Sequence, residues 1–154
     1  MYKRILVPID GSRASTQGLR EALRFAKDQK AKLRIVHIVD EAALAQYPEA
    51  VDATGQIMAT FINDGKKTLK DAMALAKRQG INAECVMHEK LIGSLSDLIL
   101  KEAKEWKSDI IVLGTHGNTG IKHLLLGSDA EDIARSSRIP VLLIHSAPAD
   151  SASA

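Results

Sequence analysis

Short apolar runs alternate along this chain with longer segments in which apolar residues recur every three or four positions. The runs lie at 5–7, 33–39, 81–87, 110–113 and 141–144. Nearly continuous apolar runs of this length are typical of strands that are buried on both faces of a parallel sheet. The segments between them have the spacing of amphipathic helices. The order of elements is therefore predicted to be β-α-β-α-β-α-β-α-β.

Residues with capping chemistry support these boundaries. Ser12 or Ser15 is placed to cap the first helix. Ser94, followed three residues later by Asp97, forms a pattern similar to a capping box before the third helix. Gly80 is placed to end the second helix as a C-terminal cap.

The alternation of strands and helices predicts an α/β fold with a single doubly wound, five-stranded parallel sheet of the Rossmann-like class. Placing the first and fourth strands side by side predicts the strand order 3-2-1-4-5, with right-handed crossovers. One domain is expected over 1–146, and the Ser-, Ala- and Pro-rich tail at 147–154 is expected to be disordered. Residues 40–56 lack a regular pattern and are expected to be irregular, with the long second helix apparent from Ile57.

Composition narrows the class of function. The chain has 154 residues, of which 45% are hydrophobic and 26% charged, a mixture typical of one globular domain. Aromatic residues make up only 3% and the net charge is +2, so no nucleic-acid partner is expected. No apolar run approaches the ~20 residues of a membrane span, so no membrane partner is expected. The basic start of the chain is too short for a signal peptide, and the cytoplasm is the expected location.

The cysteine and most histidines are interpreted as structural. Cys85 lies in an apolar, strand-like run, and a buried thiol is expected. His37, His88 and His145 fall near predicted strand ends, where packing at a strand edge or contact with solvent is the simplest interpretation. His116 lies in a glycine-rich loop, where it either contacts a phosphate or shapes the turn. None of them stands at a spacing typical of zinc ligands with cysteine partners.

Residues with candidate chemistry follow the first and fourth strands. Pro8, Ile9 and Asp10 follow the first, and a loop that opens at Gly114 and closes at Ser128 follows the fourth. Glycines let the main chain approach an anion closely, and a helix N-terminus offers N–H groups and the positive end of its dipole. Ligands of doubly wound folds bind beyond the carboxyl ends of the strands, where the strand order reverses. The two loops therefore predict a phosphate-binding crevice into which Asp10 projects.

Competing motifs are absent. The turn after the first strand has one glycine, which excludes the G-x-G-x-x-G dinucleotide fingerprint. Neither the Walker pattern G-x-x-x-x-G-K-[ST] nor the nucleophile elbow G-x-S-x-G occurs.

The loop after the fourth strand contains the pattern G-x2-G-x9-G-S, formed by Gly114, Gly117, Gly127 and Ser128. Together with the opening ILVPIDGS at 5–12 and the closing RIPVLLI at 138–144, this pattern resembles the universal stress protein family, of the kind that binds nucleotides. The resemblance covers the whole chain except its tail.

The resemblance implies a site for ATP or AMP, with or without Mg²⁺. It places Asp10 near the ribose and phosphates, Pro8 in a wall of the pocket, and the main chain of Ile38 against the adenine. The glycine loop and the start of the following helix would hold the phosphates. The implied site residues are Pro8, Ile9, Asp10, Ile38, Leu113, Gly114, Thr115, His116, Gly117, Asn118, Thr119, Gly120, Gly127, Ser128, Asp129 and Ala130.

The resemblance also implies a homodimer formed through the last strand, from Val141 to Ile144. An apolar edge strand needs covering, which agrees with this expectation.

Three residues depart from the family pattern. Asn118 stands where many members have a basic residue, Asp129 where an apolar residue is common, and Ala130 where some triphosphate binders have a hydroxyl. An acid in the first turn of a helix suits its dipole but repels phosphate. These departures favour AMP or ADP over ATP.

The leading functional hypothesis is a nucleotide-dependent stress-response module that binds or senses rather than catalyses. The alternative is a slow ATPase or phosphotransferase, which needs a general base or a positioned water near the terminal phosphate. Its candidate groups are Asp10, His116 and Asp129, and no nucleophile–base pair is apparent among them. A third hypothesis is a scaffold protein with an empty pocket.

Overall fold

The computed structural model describes residues 1–41, 54–115 and 128–146. The predicted alternation of strands and helices is confirmed within them. The elements are β1 (Arg4–Pro8), α1 (Arg13–Gln29), β2 (Lys32–Asp40), α2 (Thr54–Arg78), β3 (Ala83–Lys90), α3 (Leu95–Glu105), β4 (Ile110–Thr115), α4 (Ser128–Ser136) and β5 (Val141–His145).

All strand pairs in the sheet are parallel, and the strand order is β3-β2-β1-β4-β5. This order confirms the predicted doubly wound arrangement. In the central strand β1, Ile5, Leu6 and Val7 are fully buried. Burial on both faces is why the apolar run of this strand shows no polar alternation.

Helices pack against both faces of the sheet and create two apolar layers. On one face, α1 contributes Leu19 and Leu23, and α2 contributes Leu69. On the other face, Ile99 of α3 and Ile133 of α4 pack against neighbouring strands. β1 and β4 therefore lie between two apolar layers.

The predicted helix caps are present. Ser12 is the cap of α1, and its hydroxyl accepts a hydrogen bond from the Ser15 amide at 3.1 Å. The hydroxyl of Ser94 accepts from the Asp97 amide at 3.0 Å and caps α3. Each bond satisfies an amide that the first helical turn leaves without an internal partner.

The predicted bounds of the third strand, 81–87, are wrong at both ends. The Ile81 amide donates to the Ala76 carbonyl at 3.0 Å, and Gly80 has a φ of +69°. Ile81 therefore belongs to the glycine cap of α2, where a hydrophobic residue packs back onto the helix. At its other end β3 continues to Lys90, because residues up to that position pair with β2.

The predicted irregular segment at 40–56 is partly corrected. Asp40 is the last residue of β2, and α2 begins at Thr54, earlier than the apolar pattern from Ile57 indicated. Residues 42–53 lie outside the described part of the chain.

The expectation of a buried thiol is wrong, because Cys85 is exposed. Its neighbours on the same face, Ala83 and Met87, pack against the layer formed with α1 and α2. β3 is an edge strand and pairs only with β2 in the described sheet. A side chain of an edge strand is buried only where a helix covers that face of the sheet, so an apolar sequence does not guarantee burial.

β5 is the other edge of the described sheet, and Leu142 in it is 37% exposed. A homodimer through this strand stays a prediction. No helix within the described ranges is long and apolar enough to cross a membrane. The predicted disordered tail at 147–154 lies outside the described residues.

Candidate functional site

A cleft opens beyond the carboxyl ends of β1 and β4, where the strand order reverses. Its walls come from both central strands, from β2, and from the helices that follow them. The lining residues are Pro8, Ile9, Asp10, Ser12, Ser15, Val36, Ile38, Leu95, Ile99, Leu113, Gly114, Asp129, Ala130 and Ile133. This is the position at which doubly wound folds bind ligands.

The loop between β1 and α1 is held by a closed set of hydrogen bonds. The Asp10 carboxylate accepts from the Ser12 amide at 2.8 Å. The Asp10 amide donates to the Ser15 hydroxyl at 3.2 Å, and that hydroxyl donates to the Ser12 carbonyl at 3.1 Å. The sequence Asp-Gly-Ser thus forms both the turn and the helix cap, and the exposed Asp10 is fixed at the rim of the cleft.

The opposite rim is the beginning of α4, where Asp129 and Glu131 stand in the first turn. Asp129 lines the cleft and faces the same space as Asp10. Carboxylates stabilise a helix N-terminus, but they also cancel part of its attraction for a bound anion. The rim of the cleft is therefore acidic at two points.

The floor of the cleft is apolar. Val36, Leu113, Ile99 and Ile133 are buried side chains from the layer on the α3 and α4 face of the sheet. Leu95, in the first turn of α3, extends this surface towards the opening. A flat apolar group with polar edges fits such a floor, because pockets of this kind pair apolar walls with a few placed polar groups.

The hydrogen-bond ladder between β1 and β2 ends beside this floor. Its last bond joins the Ile9 amide to the Val36 carbonyl at 2.8 Å. The Ile9 carbonyl accepts from His37 Nδ1 at 2.9 Å. The main chain of Ile38, the next β2 position on the β1 side, thus lies beyond the last bond of the ladder and lines the cleft.

Gly114 approaches α1 very closely. A Cβ atom built on Gly114 would lie 1.9 Å from the Ala14 carbonyl oxygen and 2.4 Å from its carbon. Gly18 makes the reciprocal approach, since its Cβ would lie 2.6 Å from the Gly114 nitrogen. The first glycine of the motif is thus required by helix packing, a reason that differs from the approach to an anion inferred above.

Half of the predicted site residues line the cleft together: Pro8, Ile9, Asp10, Ile38, Leu113, Gly114, Asp129 and Ala130. Thr115 does not; it is 1% exposed, and its hydroxyl is 2.8 Å from His145 Nδ1. Ser128 begins α4 without lining the cleft. His116, Gly117, Asn118, Thr119, Gly120 and Gly127 lie outside the described residues.

Sequence reasoning missed several residues that line the cleft. Ser12 and Ser15 are predicted only as caps from the sequence, and Leu95 and Ile99 are not among the predicted site residues, yet all four line the cleft. For the two serines the capping pattern is the available signal, because α1 starts at the carboxyl end of the central strand β1 and brings its first turn to the site.

A buried ion-pair cluster lies outside the cleft lining. The Glu102 carboxylate, 6% exposed, accepts hydrogen bonds from Arg34 and, at 2.7 Å, from His88 Nε2. Burial alone would raise the pKa of Glu102, but the bonds from Arg34 and His88 outweigh it and hold the pKa below its usual value. His88 is therefore hydrogen-bonded to a buried carboxylate and not simply packed at a strand edge.

The described residues provide no ready metal cage. Within 1–41, 54–115 and 128–146, no three His, Cys, Asp or Glu side chains gather as metal ligands. A divalent cation in this cleft would need most of its ligands from a bound molecule or from water, which is how Mg²⁺ commonly binds beside phosphates.

Comparison with known proteins identifies relatives along nearly the whole chain. The model of the universal stress protein family matches residues 1–145. Universal stress protein MJ0531 of Methanocaldococcus jannaschii is 30% identical over 145 residues, which span 94% of this chain and 82% of that protein. Universal stress protein YxiE of Bacillus subtilis is 32% identical over 153 residues, spanning 94% of this chain and 100% of that protein.

A solved structure of a universal stress protein in complex with cAMP is also similar. It is 26% identical, with a TM-score of 0.68, and the match covers 95% of this chain and 99% of that one.

Proposed function

Because the chain belongs to the universal stress protein family, we propose that its cleft binds an adenine nucleotide and that the protein is a nucleotide-dependent stress-response module. The observation that carries this proposal is the apolar floor beneath the main chain of Ile38, at the switch point between β1 and β4. The cAMP complex of a relative supports the same class of ligand.

The proposed position of the base follows from the chemistry of the floor. Adenine is flat and apolar on its faces, so it fits against Leu95 and Ile99. Its edge carries the N1 acceptor beside the N6 amino donor. The N–H and C=O groups of Ile38 match these two groups, and a buried polar edge needs such partners.

The acidic rim favours nucleotides of low charge. Asp10 and Asp129 both face the cleft, so each additional phosphate adds repulsion. We propose a preference for AMP or a cyclic monophosphate over ATP. An Mg²⁺ ion bound together with the nucleotide would take most of its ligands from phosphates and water, because no three side chains of the described residues gather as metal ligands.

Binding without turnover is the form of activity that we propose. The polar side chains of the described cleft lining are Asp10, Ser12, Ser15 and Asp129. The Ser12 hydroxyl caps α1, and the Ser15 hydroxyl accepts from the Asp10 amide and donates to the Ser12 carbonyl, so neither is seen paired with a base as an activated nucleophile.

Isothermal titration with AMP, cAMP, ATP and GMP tests the proposal, together with chromatography of whatever heat denaturation releases from the purified protein. We expect AMP to bind more tightly than GMP, because guanine presents a donor at N1. In Ala130→Leu, a larger side chain enters the cleft, and AMP affinity should fall about tenfold or more.

Ala134→Leu is the matched control, because Ala134 is an exposed residue of the same helix and does not line the cleft. It should bind AMP as the unaltered chain does. The absence of binding by any adenine nucleotide at millimolar concentration would refute the proposed function and favour a protein-only scaffold.

The acidic rim gives a separate prediction about phosphate number. Asp129→Asn removes one negative charge from the cleft, so ATP affinity should rise about twofold to threefold and AMP affinity by less, because Asp129 is exposed and water screens its charge. The ratio of the two dissociation constants at low salt measures this effect. Asp132→Asn, in the same helix but away from the cleft lining, should leave the ratio unchanged.

A further inference from the structure

The amides of β2 point alternately towards its two neighbouring strands. The Lys32 amide donates to Lys3 beside β1, whereas the Leu33 amide donates to Asn82 on the β3 side. By this alternation Val36 and Ile38 face β1. After the bond from the Ile9 amide to the Val36 carbonyl, the next bond of the ladder would join the Ile38 amide to the Ile9 carbonyl.

That next acceptor is taken by a side chain. His37 Nδ1 lies 2.9 Å from the Ile9 carbonyl oxygen. A carbonyl only accepts hydrogen bonds, so Nδ1 carries the proton and donates. Among the described residues the ladder stops one bond short of this position, and the His37 ring stands at the acceptor that its next bond would use.

Helix α2 holds the imidazole ring in this position. The ring packs so closely against Gly65 that a Cβ on this glycine would lie 2.7 Å from His37 Cδ2 and 2.9 Å from Nε2. The ring is therefore confined between α2 and the loop that follows β1. Only a residue without a side chain at position 65 leaves it room.

We propose that His37 is a positioning residue for base recognition: its ring, held at the Ile9 carbonyl, competes with the Ile38 N–H for that acceptor and so leaves the Ile38 N–H available to the N1 acceptor of adenine. This inference rests on the proposed function and deepens it. If β2 made one more ladder bond, the Ile38 N–H would donate to the Ile9 carbonyl and would not be available to a ligand in the cleft. His37 itself does not touch the nucleotide.

Hydrogen exchange in the nucleotide-free protein tests the first half of this inference. The Ile38 amide should exchange rapidly in the unaltered chain. In His37→Phe, which keeps an aromatic ring but removes the donor, the amide should take the Ile9 carbonyl and exchange about tenfold more slowly. His37→Asn, whose side-chain amide can donate from a similar position, should restore rapid exchange.

Ligand binding tests the second half. 1-Deaza-AMP lacks the N1 acceptor, so the unaltered chain should bind AMP about fivefold to tenfold more tightly than this analogue, as expected for one hydrogen bond. In His37→Phe the difference should vanish through weaker AMP binding, with affinity for the analogue unchanged. His37→Asn should recover the difference. A purely structural role for His37 would weaken both ligands equally.

Gly65→Ala provides a second route if His37→Phe fails to fold. The added methyl displaces the ring, so it should slow Ile38 exchange and reduce the preference for AMP. Gly55→Ala, in the same helix with nothing within 4 Å of the added Cβ, is the matched control and should change neither.

Two results overturn the inference: protection of the Ile38 amide in the unaltered nucleotide-free chain, or equal exchange in the unaltered chain and His37→Phe. Failure of AMP to bind, with the expected exchange pattern intact, instead refutes the proposed function and leaves the hydrogen-bond arrangement established.

Discussion

Replacing Gly114 with alanine is expected to destabilise the fold by about 3 kcal/mol, near the upper range for inserting one methyl group into a packed region. The new Cβ would meet the main chain of Ala14, at 1.9 Å from its oxygen, and backbone atoms cannot rotate aside. Helix α1 would have to move away from β4. Urea denaturation measures the loss, and the melting temperature should fall by roughly 10 °C for a chain of this size.

Gly18→Ala should destabilise the protein similarly, because its Cβ would lie 2.6 Å from the Gly114 nitrogen across the same contact. Gly55→Ala is the control, since its Cβ meets nothing within 4 Å and alanine favours a helix. A Gly114→Ala protein with unchanged stability would contradict the packing explanation. Because Gly114→Ala destabilises the fold, a loss of nucleotide binding in this variant should be interpreted together with its measured stability.

The strand order could be predicted because the pattern and the chemistry agreed. The run at 5–7 is fully buried in β1, and the unusual residues after β1 and β4 were sufficient to place these strands together. The position of Asp10 at the switch point follows from that order. These features depend on short segments of sequence and on general rules of topology, so no knowledge of distant contacts is needed.

Features that depend on distant partners could not be predicted. Cys85 lies in an apolar run, yet its exposure is decided by how far α2 covers an edge strand. The hydrogen bond from His37 to the Ile9 carbonyl forms only when β1 and β2 are paired in the correct register. The helical spacing from Ile99 does place position 102 near the core, but nothing local indicates which side chain would pair with a glutamate there.

Replacement of this glutamate, Glu102, is expected to have the second large effect on stability. Glu102→Gln is expected to cost about 2 kcal/mol of stability at pH 7, less than the ~3–5 kcal/mol of a fully buried broken pair. The cost is smaller because Arg34 does not lose all its surroundings. Its side chain is 20% exposed and keeps two partners, Glu84 and the ring of Trp106 at 4.8 Å. Glutamine keeps the shape of the side chain but loses the charge that balances Arg34.

The pH dependence of the stability loss tests whether the negative charge of Glu102 is its cause. The pKa of Glu102 is lowered on folding from 4.5, so its ionised form stabilises the fold above that pH, and this contribution is lost as the pH falls through the lower folded value. The stability difference between the unaltered chain and Glu102→Gln should therefore shrink as the pH falls below 4.5.

Glu84→Gln is the matched control, because Glu84 pairs with the same Arg34 at 3.1 Å but is 51% exposed. Its loss should cost less than ~1 kcal/mol, since water already screens the pair. Urea denaturation of the three proteins at pH 7 and at pH 4 separates the two carboxylates. Equal losses for Glu84→Gln and Glu102→Gln, or a Glu102→Gln loss that does not shrink in acid, would mean that the buried charge does not stabilise the packing of α3 against β2 and β3.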